Sequence, residues 1–443
     1  MFGSNLEFMD INMAPETQRT GETPLSKEHI GHPVPVNFFK LGGTWDMIER
    51  DGRRVGTGKL DDDELKRLQT EAGLFNADNR QTRTQVNRQI AIEVYQRFQE
   101  TQPEPDNTAE HLSSWAVNKK GESFGDFADG PFTALFSGDS SHLRNPLIAP
   151  MTVALIDAAK KEPTKPILGG QGTDTADIAL LCMYDAYTYD TQLPPLVLTG
   201  ANDPHSVPNS DAPDNFIDTA KIIHKELGSG AYWIFHGYLF SASDLVKLNP
   251  EETRMIEEQG TFWAAHKTSL PVSTLLKVAS DADWQKRVAP TEDHIVNKLT
   301  MGNLYDAYES IYVIDLGNQN PGWSDMERIF DPEVKVIIVA AHSLGNVDNE
   351  TRIDLVRAAR MGKLVVDVSR SLVGATNESY EASLLGANQD LQELGGTGRR
   401  IIAAHKLNKS LARALTSRAL LEGLDQEGTQ KLFDHYASSR EMV

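Results

Sequence analysis

A single cysteine, Cys182, stands in 443 residues, so no internal disulfide can form and no cysteine pair can clasp a metal. That scarcity fits a reducing compartment, and the cytoplasm is the expected location. Basic residues are few beside acidic ones. The 43 Lys and Arg against 63 Asp and Glu leave a net charge of −20, which repels phosphate backbones and anionic lipid surfaces. No nucleic-acid partner and no membrane partner are therefore expected. No uninterrupted apolar run approaches the ~20 residues of a membrane span, and the first residues hold no basic segment leading into an apolar one. The twelve histidines include no His-x-x-x-His pair with a glutamate nearby, so His205, His224 and His236 are read as polar packing or surface and not as metal ligands.

What is present is a repeated grammar. Residues 1–33 mix Glu, Thr, Pro, Gly and Ser without periodicity, and are read as a loosely ordered arm. From Val34 on, short apolar runs end in Gly, Thr or Asp: VPVNFFKLGGT, PILGGQGTDT, PPLVLTGAN and GAYWIFHGYLF. Helix-patterned stretches lie between them, among them TADIALLCMYDAY and DNFIDTAKIIHKEL. Such alternation predicts an α/β fold, with a larger N-terminal domain built on a mostly parallel sheet with flanking helices, over 34–280. A polar, helix-favouring stretch, 60–115, reads as a helical insertion in it, serving as a cap or an oligomer contact. A charged, poorly patterned linker follows at 281–305. SIYVIDLG, VKVIIVAAHS and KLVVDVS then form a second, smaller α/β domain over 306–443.

In open parallel sheets ligands sit beyond the carboxyl ends of the strands, so the residues that close each apolar run are the candidates. They are Gly42, Gly43 and Thr44; Gly138, Asp139, Ser140 and Ser141; Gly172, Thr173, Asp174 and Thr175; and Gly200 and Asn202. Glycine lets backbone approach a ligand, and hydroxyls at a strand-to-helix turn sit beside amides that can hold an oxyanion or a carboxylate. A threonine is a feeble nucleophile alone. Two threonines, an adjacent aspartate and a lysine from elsewhere would make a proton relay, although a Gly-Thr-Asp-Thr turn also serves as a plain helix cap.

Taken together these segments resemble the asparaginase family, the bacterial-type amidohydrolases with threonine nucleophiles. KLGGTWDM is similar to the family's first strand and Gly-Gly-Thr, and QGTDTADIAL to its second signature. VLTGANDPHSVPNSDAPDNFIDTA is similar to its Thr-Gly-Ala turn and following helix, HGYLFSASDLVKLNP to the lysine-bearing stretch, and FSGDSSHL to the substrate-carboxylate loop. SLGNVDNETRIDLVRAARMGKLVVDVSRSLVGAT resembles the small C-terminal domain. The resemblance implies that Thr44 is the nucleophile and that Thr173, Asp174 and Lys247 form the relay. It further implies that Ser140 and Ser141 hold the substrate carboxylate and Asp174 its amine. The reaction implied is hydrolysis of the side-chain amide of L-asparagine, without metal or cofactor, in a homodimer or homotetramer. Glu381 lies where a residue from a neighbouring subunit reaches the substrate.

Two positions depart from the family pattern. The loop IERDGRRVGTGKL carries no tyrosine where the family has one, so an assisting hydroxyl must come from Thr57 or from outside, for which Tyr95 of the insertion is a candidate. Gln171 stands where the second signature opens with histidine. Glutamine as substrate, a tRNA-amidotransferase-like subunit and a non-catalytic binding protein of the same fold stay open as alternatives. A nucleophile elbow in AAHSLGN, with Ser343, Asp367 and His405 in order, is the rival outside the family.

Overall fold

The computed structural model describes residues 32–42, 48–50, 53–55, 60–76, 80–100, 112, 114–138, 145–172, 193–225, 227, 229–241, 246–247, 263–264, 270–271, 299–316, 323–341, 346–369, 384–385, 387–388, 401–405, 407 and 409–439. Seven strands form the larger sheet: β1 (Asn37–Leu41), β2 (Phe132–Phe136), β3 (Ile167–Gly170), β4 (Leu196–Thr199), β5 (Ala231–Phe235), β6 (Tyr238–Ser241) and β7 (Leu270–Pro271). Across the sheet they run 2-1-3-4-5-6-7. The pairs β2/β1, β1/β3, β3/β4 and β4/β5 are parallel, whereas β5/β6 and β6/β7 are antiparallel. The parallel core was legible because both of its faces are covered.

Successive side chains of each strand enter opposite cores. Phe39, Leu41, Leu196, Leu198, Trp233 and Phe235 pack on one side. Phe38, Leu168, Val197 and Ile234 pack on the other, with Phe216 and Ile217 of α4 (Ala212–Ile222). A strand buried twice has no polar alternation, which is why the runs read as uniformly apolar.

Helices α1 (Asp62–Glu71), α2 (Arg80–Glu100) and α3 (Asn145–Lys161) cover the first face. Leu65 and Leu68 of α1 and Ile90, Ala91, Val94 and Phe98 of α2 are buried in the same core as the sheet residues. The stretch expected to be a cap is thus part of the scaffold, its apolar face hidden among charged neighbours such as Glu64, which accepts from Arg67 and Arg97. Residues 281–298 of the expected linker lie outside the described residues. Its last residues begin α5 (Met301–Glu309), which Thr300 and Asn303 open with a capping box. Leu304, Tyr305 and Tyr308 of α5 complete the first core. Arg88 pairs with Asp306 at 2.9 Å, joining α5 to α2.

A second sheet runs in chain order, all parallel: β8 (Ile311–Asp315), β9 (Val336–Ala341), β10 (Leu364–Ser369) and β11 (Ile401–Ala403). One face packs on α6 (Trp323–Phe330) and α7 (Asn349–Arg360) through Ile329, Leu355 and Ala359. The other packs on α8 (Lys409–Glu422) and α9 (Gln426–Ser439) through Leu411, Leu415, Phe433 and Tyr436. The architecture is the expected one, a larger, mostly parallel sheet with flanking helices and a smaller α/β unit.

Candidate active site

The chain leaves β1 for β2 on one side and returns to β3 on the other, so the connections diverge between β1 and β3. A crevice opens at such a reversal, beyond the carboxyl ends of the strands. The register shows which residues share that edge: Leu41 lies beside Phe136, Lys40 beside Gly170, Gly170 beside Thr199, and Thr199 beside Ile234. Four of the loops singled out in the sequence therefore depart from one edge, after Gly42, Gly138, Gly172 and Gly200.

The described ends of these loops are tightly built. Gly42 has φ +79°, a left-handed conformation that costs any other residue strain. A Cβ there would lie 2.6 Å from Phe136 Cδ1 and 2.9 Å from the Gly138 carbonyl oxygen. At Gly138 a Cβ would lie 2.5 Å from Asp62 Oδ1. The first turn of α1 thus abuts the loop that continues into Asp139, Ser140 and Ser141, and the Ser137 N–H donates to Leu60 O at 2.9 Å. On the far side of the crevice the Gln171 N–H donates to Thr199 O at 2.7 Å, and Thr199 Oγ1 donates to Ile234 O at 2.7 Å. Gln171 is buried, consistent with a side chain that shapes the turn.

Beyond β4 lies a polar network that the sequence reading missed. Asp211 accepts from the Asn202 N–H (3.0 and 3.1 Å), the Asp203 N–H (3.2 Å) and Asn215 Nδ2 (3.2 Å). Asn215 Nδ2 also donates to Gly200 O at 3.0 Å, and its Oδ1 accepts the His236 N–H at 2.8 Å. His236 and Gly237, at φ +48° and +77°, form the two-residue tip between β5 and β6, whose twist favours left-handed turn residues. His236 Nε2 stands 3.5 Å from Asp211 Oδ2. Burial pushes the Asp211 carboxyl up to about 6, against its backbone donors, with nearby Asp203 raising it further. Burial also lowers His236 to about 4, so its imidazole is neutral at pH 7. The signal for this network was the Asp-x-x-x-Asn spacing at the start of α4, which sets both side chains on one helix face.

Thr44, Ser140, Ser141, Thr173, Asp174 and Glu381 lie outside the described residues. Lys247 is described in its backbone alone, in a two-residue strand, Val246–Lys247, paired antiparallel with Trp263–Ala264. Tyr95 is not a substitute for the absent loop tyrosine. Its hydroxyl donates to Asp157 at 2.8 Å, and burial with this carboxylate neighbour raises its pKa. Asp157 belongs to the last part of α3, which runs from the carboxyl edge after β2 toward the start of β3, so the pair sits toward the opposite edge.

The Ser343, Asp367, His405 arrangement fails on two described residues. Asp367 is fully buried in β10, neither oxygen of its carboxyl has a hydrogen-bond partner among the described residues, and burial pushes it up to about 8. His405 Nε2 instead meets Asp434 at 2.8 Å. No histidine–aspartate relay joins positions 367 and 405, and Ser343 itself lies outside the described residues. Among the described residues no group of three or more His, Cys, Asp or Glu could hold a metal ion, and no helix is long and apolar enough to cross a membrane.

The family model described as "Asparaginase, N-terminal" matches residues 62–268, a span that holds Ser140, Ser141, Thr173, Asp174 and Lys247 and begins after Thr44. The fold is similar to that of a probable cytoplasmic L-asparaginase from Campylobacter jejuni, with TM-score 0.57 and 16% identity, over 90% of this chain and 99% of that one. No curated protein matches the chain. The family match thus covers a little under half of the chain, residues 62–268, and the fold over 90% of it is similar to that of an L-asparaginase.

Proposed function

We propose that the protein hydrolyses the side-chain amide of L-asparagine to L-aspartate and ammonia. The observation that carries this reading is the shared edge at the β1/β3 reversal, from which the loops leading to Thr44, Ser140 and Thr173 all depart, in a chain whose residues 62–268 match the asparaginase N-terminal family. Thr44 Oγ attacks the amide carbon as its proton passes into the relay of Thr173, Lys247 and Asp174. The tetrahedral oxyanion is met by backbone N–H groups of the glycine-rich turns. The C–N bond breaks as the nitrogen takes a proton and leaves as ammonia. Water then adds to the Thr44 ester by the reverse path, releasing aspartate and restoring the hydroxyl. Ser140 and Ser141 hold the α-carboxylate and Asp174 the α-amine. Lys247 serves as the base of that relay.

A site built at a contact between copies, as a homodimer or homotetramer, is part of the proposal, and Glu381 of a neighbouring copy is assigned to the substrate amine. The cytoplasm is the proposed location. Ammonia release from asparagine and from glutamine tests the reaction. Activity on asparagine should fall about 10²–10⁴-fold in Thr173→Ala, the span typical of a lost proton-transfer group. No release by either wild type or variant on any amide tried would leave a binding protein of the same fold. A further drop in Km-independent rate for glutamine alone would assign the smaller substrate, since one methylene is worth only about 1–3 kcal/mol in such a pocket.

A further inference from the structure

The buried network beyond β4 has no part in the chemistry just described, yet it fastens the turn that follows Thr199, and Thr199 is bonded to the strand end that leads into Thr173 and Asp174. Its connections run in one direction. The His236 N–H at the β5–β6 tip donates to Asn215 Oδ1, Asn215 Nδ2 donates to Gly200 O, and Asp211 gathers the N–H groups of Asn202 and Asp203. The turn so fastened is continuous with Thr199, whose carbonyl accepts the Gln171 N–H at 2.7 Å and whose hydroxyl is tied to Ile234. Gly172 and then Thr173 follow Gln171 directly.

We propose that Asp211 and Asn215 clamp the Gly200–Asp203 turn and, through Thr199, hold the Gln171–Gly172 strand end, making Asp211 a positioning residue for the Thr173–Asp174 loop. The role assigned to that loop rests on the proposed hydrolase reading; the clamp itself rests on the hydrogen bonds. An ionised Asp211 is needed. Its two oxygens serve three described donors and cannot do so equally well once one oxygen carries a proton. The titratable groups facing it are His236 from the β5–β6 tip, at 3.5 Å, and Asp203 from the turn; its partner on α4, Asn215, is uncharged. His236 acts through its backbone N–H, and its left-handed φ is one that asparagine also adopts readily.

Hydrogen exchange on the full chain reads the clamp directly. In Asp211→Asn, exchange should rise at least tenfold both in the 199–203 segment and at Gln171, while amides of β1 keep their protection. Wild type moved from pH 7 to pH 5 should show the same paired rise after correction for intrinsic exchange, which keeps the test valid if the variant fails to fold. Asp211→Glu should restore much of the protection, and His236→Asn should leave it intact. In the hydrolysis assay kcat/KM of wild type should fall at least fivefold from pH 7 to pH 5, and that of Asp211→Asn should be low and flatter over the same span. Opening confined to residues 199–203, with Gln171 unchanged, overturns the clamp even in an active enzyme. Paired opening in a protein that releases ammonia from no amide upholds the clamp and overturns the hydrolase reading instead.

Discussion

Gly42 leaves β1 in a left-handed conformation with Phe136 and the Gly138 carbonyl pressed against the space a side chain would need. Gly42→Ala therefore combines backbone strain with a clash, and should lower stability by roughly 1–3 kcal/mol in urea unfolding. Gly138→Ala drives a methyl into Asp62 and should cost a similar amount. Glycines at strand ends were legible as close-approach positions, because the residue type states the requirement. The partner that imposes it was not, since Asp62 lies 76 residues away from Gly138 in sequence. Asp367 shows the opposite limit. Nothing in KLVVDVS distinguishes a solvated aspartate from one sealed between two parallel strands. With its folded pKa raised to about 8, the native state holds a proton that the unfolded chain releases in the ordinary carboxylate range. The stability of the neutral form is thus complete below that range and is lost as pH rises through about 8. Asp367→Asn removes the titration, so its melting temperature should fall less than that of wild type between pH 5 and pH 9. Parallel curves for the two proteins would contradict this.

At the scale of elements, α1 and α2 carry the main correction. Their sequences are dominated by Lys, Arg, Glu, Asp and Gln, and composition alone marks a surface addition. The helical face that matters is narrow: Leu65, Leu68, Ile90, Val94 and Phe98 are buried with α3, α5 and the sheet, and Val86, Ile92 and Tyr95 flank them partly buried. Ile90→Ala should cost about 2–5 kcal/mol, as for other truncations in a close-packed core. Arg88→Ala breaks an ion pair whose partners are 44% and 57% exposed, and should cost no more than about 1 kcal/mol. Comparable losses in the two variants would mean that α2 is held by charge and not by packing. The strands of the central sheet were the most legible elements, because burial on both faces leaves a continuous apolar run bounded by glycine. The clamp beyond β4 was the least legible, because its members come from a turn, a helix start and a hairpin tip that become neighbours only in the folded chain.

For the whole molecule, the acidity that tells against nucleic-acid partners is compatible with a small zwitterionic substrate, which needs only local charges at the edge of the sheet. The two α/β units differ in what their topology offers. Among the described residues the C-terminal sheet runs β8-β9-β10-β11 without a reversal, whereas the N-terminal sheet reverses between β1 and β3. A crevice of that kind is the place proposed for the ligand, in the N-terminal unit. A contact between copies completing the site predicts a dimeric or larger mass by light scattering, with activity lost on dilution to the monomer; a fully active monomer would contradict it. The central claim is the location of the site, and a crystal structure with bound aspartate tests it most directly. Product is expected at the carboxyl edge of β1 and β3, between the loops that follow Gly42, Gly138 and Gly172. Aspartate seated instead beyond β9 and β10, beside Ser343, would contradict it.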